Sequence, residues 1–229
     1  NRLMLVMDEA YRVLRPDGCC FLVLGDKMSN GSLNLSHQRL AIRMVDEIGW
    51  LLRNELCWRK LNPKPESVKN RFMMAHETIY FFTKTKDYKI NLEHLRVPYK
   101  EPDIRVSRAP KHHLRNDDDK MQYYTANIKS PNGKYPSTTD YADDIIETQR
   151  NEPPPYNKNK IRHAAAFPIE LVDKFTRACI DDGDIGLDMM CGSGTTLVSV
   201  VKHGGYGVGY DVQQMYLDMA RKRILEEAE

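Results

Sequence analysis

The densest chemistry-bearing stretch of the sequence is Asp188-Met189-Met190-Cys191-Gly192-Ser193-Gly194-Thr195-Thr196. It separates a strand-like segment from a helix-like one, and the strand after that ends in Gly209-Tyr210-Asp211. Glycines at such a turn let the backbone approach a ligand closely without a Cβ clash. Asp211, at a strand tip, is placed to accept hydrogen bonds from a ribose diol, and Asp188 sets a second carboxylate at the end of the preceding strand. No Lys follows the second glycine, so this is not a P-loop, and Leu197 stands where a third glycine would complete GxGxxG. A nucleoside without phosphates fits this pattern better than a pyrophosphate cofactor. The five cysteines, Cys19, Cys20, Cys57, Cys179 and Cys191, lack CxxC or Cys/His metal spacing. They read as free thiols in a reducing compartment, with no metal site.

The elements that must hold this loop follow from periodicity. Leu3, Val6, Met7, Ala10, Tyr11 and Leu14 recur at helical spacing up to Arg15-Pro16-Asp17-Gly18, where Pro and Gly favour a turn. Residues 19–24 form a continuous apolar run, predicting a parallel strand buried on both faces and broken at Gly25-Asp26. Ser36 is placed to cap a helix to about residue 48, ended by Gly49. Residues 51–59 and 78–83 read as strands, with the proline-rich stretch 60–65 between them. From 88 to 160 the pattern dissolves into Pro, Asn, Asp, Lys and Arg, which predicts an irregular functional insertion. Order then returns as a helix from Pro168 to about 180, a strand at 185–190, a helix at 195–202, a strand at 206–210 and a helix at 213–226. Such alternation predicts an α/β fold. The 34 basic and 32 acidic residues nearly cancel, so any contact with nucleic acid must come from local clusters. No apolar stretch is long enough to span a bilayer and no charged-then-apolar leader opens the chain, so a cytoplasmic protein is expected. The first residues already have the character of mid-helix, which leads to the expectation of a further segment upstream.

The loop closely resembles D-P-F-C-G-S-G-T-T, the S-adenosylmethionine loop of amino-group DNA methyltransferases, with Met189-Met190 replacing Pro-Phe. His163-Ala164-Ala165-Ala166-Phe167-Pro168-Ile169-Glu170-Leu171 resembles the HxAxFPxxL motif that flanks the cofactor in that family. Asp211 with Tyr216, Ala220, Arg223 and Ile224 is similar to the family's tail, and Glu9-Ala10-Tyr11-Arg12-Val13-Leu14 to its EAxRVL helix. Trp58-Arg59-Lys60, the stretch from Pro63 to Arg71 and His76-Glu77 resemble its W-x-K, P-x-S-x-x-x-R and H-E segments. The resemblance covers nearly everything outside residues 88–160. It implies a Rossmann-like fold, with a mostly parallel sheet, helices on both faces and an irregular target-recognition insertion. It also implies a cofactor site made of Asp188, Met189, Cys191, Gly192, Ser193, Gly194, Thr195, Asp211 and Val212. Phe167 and Pro168 would close that site, with Gly25 and Asp26 at its catalytic edge. His76 and His163 are expected to be structural.

Motif order matches the β-type permutation of the family. Residues 1–88 are then the catalytic half, 89–160 the target-recognition region and 161–229 the cofactor half. Arg96, Lys100, Arg105, Arg108, Lys111 and Arg115, with His112 and His113, form a local basic run able to meet DNA phosphates, and Tyr123 and Tyr124 are candidates to contact bases. The family polarises its amine with (S/D/N)PP(Y/F), which the resemblance puts upstream of the opening helix, so residues 1–229 alone are expected to be inactive. Pro153-Pro154-Pro155-Tyr156 has no side-chain acceptor before its Pro-Pro-Tyr and reads as a loop. No Pro-Cys dipeptide offers the thiolate of a carbon-5 cytosine mechanism. The front-half segments favour cytosine N4 over adenine N6, with a non-catalytic binding module or an RNA methyltransferase as alternatives. DNA is the expected partner, a homodimer and a cognate restriction endonuclease are further candidates, and no membrane is expected.

Overall fold

The computed structural model describes residues 2–63, 65–95, 97–98, 139–140, 145–148 and 167–227. The chain divides into one compact unit made of Asn1–Asn91 and Asp143–Glu229 and a second made of Leu92–Ala142.

The first unit opens with α1 (Arg2–Val13), followed by β1 (Cys19–Leu24), a short hairpin of β2 (Met28–Ser29) and β3 (Ser32–Leu33), and α2 (Ser36–Arg43). A π-turn over Met44–Ile48 extends α2, with the Gly49 and Trp50 amides both donating to Met44 O at 3.1 and 3.2 Å. Gly49 then stops the helix at φ 97°, a conformation that glycine adopts without penalty. Two long strands follow, β4 (Leu51–Lys60) and β5 (His76–Thr83).

Of the second unit the structure describes a 3₁₀ turn (Leu92–Leu95) and the antiparallel pair β6 (Val97–Pro98) and β7 (Thr139–Asp140). The chain re-enters the first unit through β8 (Ile145–Thr148). It continues into α3 (Ile169–Cys179), β9 (Ile185–Asp188), α4 (Thr195–Lys202), β10 (Tyr206–Gly209) and α5 (Gln214–Glu227).

The main sheet has the order β1-β5-β4-β8, and β9 pairs with β10 in parallel. Strand alternation splits the core into two layers, since successive side chains point to opposite faces. Leu22, Tyr80 and Phe82 face α1 and α2, where Met7, Met44 and Trp50 are fully buried. Ile79, Trp58 and Ile146 face the other way and bury Leu171 of α3. Phe21 is stacked between Phe81, with ring centroids 4.7 Å apart, and Phe175 of α3, at 4.3 Å. Helices therefore cover both faces, as the resemblance implied.

Three local expectations need correction. The main sheet is mixed: β5 runs antiparallel to both β1 and β4, so among the described residues β1 has no parallel neighbour, and it is not deeply buried along its length. An apolar run reports burial, but not strand direction. Ser36 does not cap α2; Leu35 occupies the cap position at φ 52°, and Asp26 takes the Leu35 amide at 3.0 Å and the Ser36 hydroxyl at 3.5 Å. Finally, Ile145–Thr148, inside the stretch read as irregular, is a strand parallel to residues 57–60 of β4. Its four residues are too few for their alternation to stand out.

Candidate functional site

The glycine loop begins where β9 and β10 end side by side. Cys191 N–H donates to Tyr210 O and Tyr210 N–H to Asp188 O, both at 2.9 Å, so the loop extends the parallel pair by one turn. Gly194 N–H then bonds Cys191 O at 2.8 Å, and α4 begins. Gly194 sits at φ 80°, and a Cβ there would stand 2.6 Å from the Cβ of Ala220 on α5. A Cβ on Gly209 would meet Leu197 at 2.5 Å and the Cys191 sulfur at 3.0 Å. Gly194 is therefore required by the turn and by packing, and Gly209 by packing.

Asp211 is the clamp of the loop. One of its oxygens, Oδ2, accepts the Gly192 N–H at 3.0 Å, while Oδ1 accepts the Gln213 N–H at 2.8 Å. Asp188 Oδ1 accepts the Met190 N–H at 3.0 Å. Each carboxylate oxygen keeps a lone pair beyond these bonds. Neither carboxylate is paired with a cation among the described residues, so the rim is locally acidic. Val212, 97% exposed, adds an apolar surface directly after Asp211.

Other candidates turn inward. Cys191 is buried against Leu197 and Ala220, and burial, with Asp188 and Asp211 nearby, pushes its thiol pKa up. Ser193 and Thr195 are buried, and both accept from Arg223: Nη1 lies 3.0 Å from Ser193 O and 3.0 Å from Thr195 Oγ1. Met189 packs into the α1–α2 layer. These residues shape the loop through backbone and packing, and the carboxylates and amides form its rim. Arg223, the brace beneath the loop, appeared in the sequence only as one member of the tail motif.

Phe167 links this loop to the main sheet. Its carbonyl accepts the Thr195 hydroxyl at 3.4 Å, and its ring meets Trp58 of β4 edge-on with centroids 5.9 Å apart. Pro168, fully buried, caps α3. Trp58 Nε1 donates to Thr148 Oγ1 at 2.9 Å, and the Lys60 ammonium lies 4.8 Å from the Trp58 ring centroid. Lys60 also pairs with Glu77, whose carboxylate would contact a Cβ on Gly25 at 3.3 Å. The cofactor-type loop, the ends of β4 and β1, and the start of β5 thus share one connected edge.

Asp26 lies on this edge, but its carboxylate serves its own loop, accepting the amides of Lys27 and Leu35. Burial pushes its pKa up more than any one partner pulls it down, but the amides of Lys27, Leu35 and Ser36 together with nearby His37 hold it below the ordinary carboxylate value. His76 is exposed at the start of β5. Arg96, Lys100, Arg105, Arg108, Lys111, Arg115, Tyr123, Tyr124, His163 and the Pro153–Tyr156 stretch lie outside the described residues. Among the described residues no His/Cys/Asp/Glu group is arranged to hold a metal ion, and no helix is long and apolar enough to cross a membrane.

Comparison with known proteins gives consistent matches. The N6/N4 family model described as "DNA methylase" matches residues 1–222. The Type II methyltransferase M.BglII of Bacillus subtilis is 27% identical over 216 residues, which is 94% of this chain and 54% of that protein. The chain therefore spans about half the length of this curated relative. Among solved structures, the PvuII DNA methyltransferase (cytosine-N4-specific) superposes with a TM-score of 0.66 at 16% identity, covering 99% of this chain and 76% of its own. An M1.HpyAVI–SAM complex superposes with a TM-score of 0.59 at 18% identity, covering 97% and 82%. The fold is accordingly that of the Rossmann-like methyltransferases.

Proposed function

The chain belongs to the N6/N4 DNA methylase family, and on that premise we propose that the protein carrying it transfers a methyl group from S-adenosylmethionine to an exocyclic amino group of DNA, the N4 of cytosine. The observation that carries this reading is the Gly192–Thr195 turn clamped to Asp211 beside a second carboxylate, Asp188. Two carboxylates without a cation partner among the described residues repel phosphate and favour a cation, which suits a sulfonium and an ammonium. The backbone at Gly192 and Gly194 leaves room for close approach.

In this reading the remaining lone pairs of Asp211 accept the ribose hydroxyls, and exposed Val212 lies against the adenine. The loop backbone from Asp188 to Thr195 receives the methionine part, and Phe167 with Pro168 closes the opposite side. Bound S-adenosylmethionine supplies an electrophilic methyl carbon for in-line displacement. The chain's own contribution is orientation: Arg223 and the Asp211 clamp fix the loop before the ligand arrives, so little reorganisation is needed on binding.

Target reading belongs, on this proposal, to the inserted region, with the basic residues from Arg96 to Arg115 on DNA phosphates. The Type II designation of the M.BglII relative extends the proposal to a cognate endonuclease as partner. The preference for cytosine N4 over adenine N6 rests on the front-half segments around Ser36–Leu40, Trp58–Phe72 and Ala75–Phe82. The test is digestion of methylated DNA to nucleosides after reaction with labelled cofactor. N4-methylcytosine is expected; N6-methyladenine would move the assignment to the adenine branch, and unlabelled DNA would contradict methyl transfer.

A further inference from the structure

The loop joining β4 to β5 carries a feature that the cofactor site does not use. Phe72 is 96% exposed, and its neighbours Met73 and Met74 are also exposed. A large aromatic side chain held almost wholly in water has no folding rationale, since burying it would be favourable. The loop around it is nonetheless built. Lys60 N–H bonds Ala75 O at 2.8 Å and closes its base. Arg71 forms an ion pair with Glu66 at 2.9 Å and donates to the carbonyl of Phe72 itself at 3.0 Å. The backbone is thus braced immediately behind the exposed ring.

Its place and charge name the partner. The loop springs from the edge that joins Lys60, Glu77 and Gly25 to Trp58, Phe167 and the glycine loop. Residues 59–76 contain Arg59, Lys60, Lys64, Lys69 and Arg71; Arg59, Lys60 and Arg71 are ion-paired with Glu147, Glu77 and Glu66, and Lys69 is exposed. Lys69 and Asn70 are exposed next to the tip, and Asn70 and Arg71 line a shallow cleft with Met28, Asn30 and Gly31 of the β2–β3 hairpin. An exposed lysine, Lys69, close in sequence to one projecting aromatic ring complements a polyanion with stacked apolar planes. The occupant that meets both demands is duplex DNA.

We propose that Phe72 is a wedge that enters the base stack of the DNA beside the target nucleotide, with Lys69 on the adjoining phosphates. This rests on the DNA amino-methyltransferase reading. An exocyclic amine engaged in base pairing is out of reach inside a duplex, so the base must leave the stack, and unstacking carries a cost that an inserted apolar side chain offsets. Because Phe72 is almost wholly exposed, its replacement is expected to leave the fold intact.

The experiment compares the native protein with Phe72→Ala on two DNAs, a matched duplex and one with an abasic site opposite the target base, where extrusion is already favoured. Phe72→Ala is expected to keep its affinity for S-adenosylmethionine and its sedimentation behaviour. It should lose about 10- to 100-fold in kcat/KM on the matched duplex, in line with a few kcal/mol per unstacked step, and recover most of that loss on the abasic duplex. Phe72→Leu should fall between the two. Wild-type activity of Phe72→Ala on the matched duplex would overturn the wedge, as would an equal loss on both DNAs. A change in sedimentation would instead assign Phe72 to contact between copies of the chain. Absence of methyl transfer by the wild-type protein on either DNA would contradict the methyltransferase reading and the wedge together.

Discussion

At the scale of single residues, the candidate site is held by contacts that leave little freedom. Gly194 satisfies two demands, a positive φ and a close approach of Ala220, and any side chain violates both. Gly194→Ala is expected to lower stability by about 1–3 kcal/mol, the usual cost of overpacking, and to weaken cofactor binding in parallel. Thermal unfolding with and without cofactor measures both; an unchanged melting temperature would show that α5 yields easily. This division of labour explains which site residues could be read from sequence. Asp188, Asp211 and the glycines could be read because turn and carboxylate chemistry are local. That Cys191, Ser193 and Thr195 point inward depends on Leu197, Ala220 and Arg223, which come from helices distant in the chain. Arg223 was therefore invisible as a brace.

At the scale of elements, the turn of residues 15–18 is tied to the turn of residues 181–184 through Lys89. Its ammonium bonds Asp181 at 2.8 Å and also Asp184, which Arg15 approaches at 3.4 Å. Its amide donates to Asp17 O at 2.8 Å. The hydrogen bond from Lys89, followed by the Asp181 amide, holds the Asp184 carboxyl below its ordinary value of 3.8. A carboxyl depressed in the folded state contributes stability above its unfolded pKa, and that contribution fades as pH falls through the lower folded value. Urea midpoints from pH 6 to pH 2 should therefore show wild type more stable than Lys89→Met at the upper end. The gap should narrow below about pH 4. A gap independent of pH would assign the effect of Lys89 to packing.

The helices and most strand positions were legible at this scale, since periodicity and Gly/Pro stops are local signals. Residues 195–202 match α4 fully. Strand direction was not legible. The antiparallel β5 is set by pairing of Cys19 with Thr83 through Leu24 with Thr78, and nothing in either segment alone encodes its partner. β8 was lost for the same reason: its identity comes from pairing with β4 and from the Trp58–Thr148 hydrogen bond, not from its own four residues.

At the scale of the whole molecule, Leu92–Ala142 forms a compact unit of its own, and the chain leaves and rejoins the main unit around Asn91 and Asp143. If this unit reads the target, replacing residues 92–142 by a short Gly/Ser linker should retain affinity for S-adenosylmethionine and abolish site-specific methylation. Methylation of the same site by that variant, mapped by sequencing of treated DNA, would place recognition in the main unit.

An acidic glycine loop clamped by Asp211 is expected to hold a nucleoside cofactor without phosphates. Equilibrium titration of the native protein tests it most directly, using S-adenosylmethionine and, separately, ATP. S-adenosylmethionine should bind, ATP should show no comparable binding, and Asp211→Ala should weaken the affinity by about 1–3 kcal/mol through the loss of charge-assisted hydrogen bonds. ATP binding as tight as S-adenosylmethionine, or an unchanged affinity in Asp211→Ala, would contradict it.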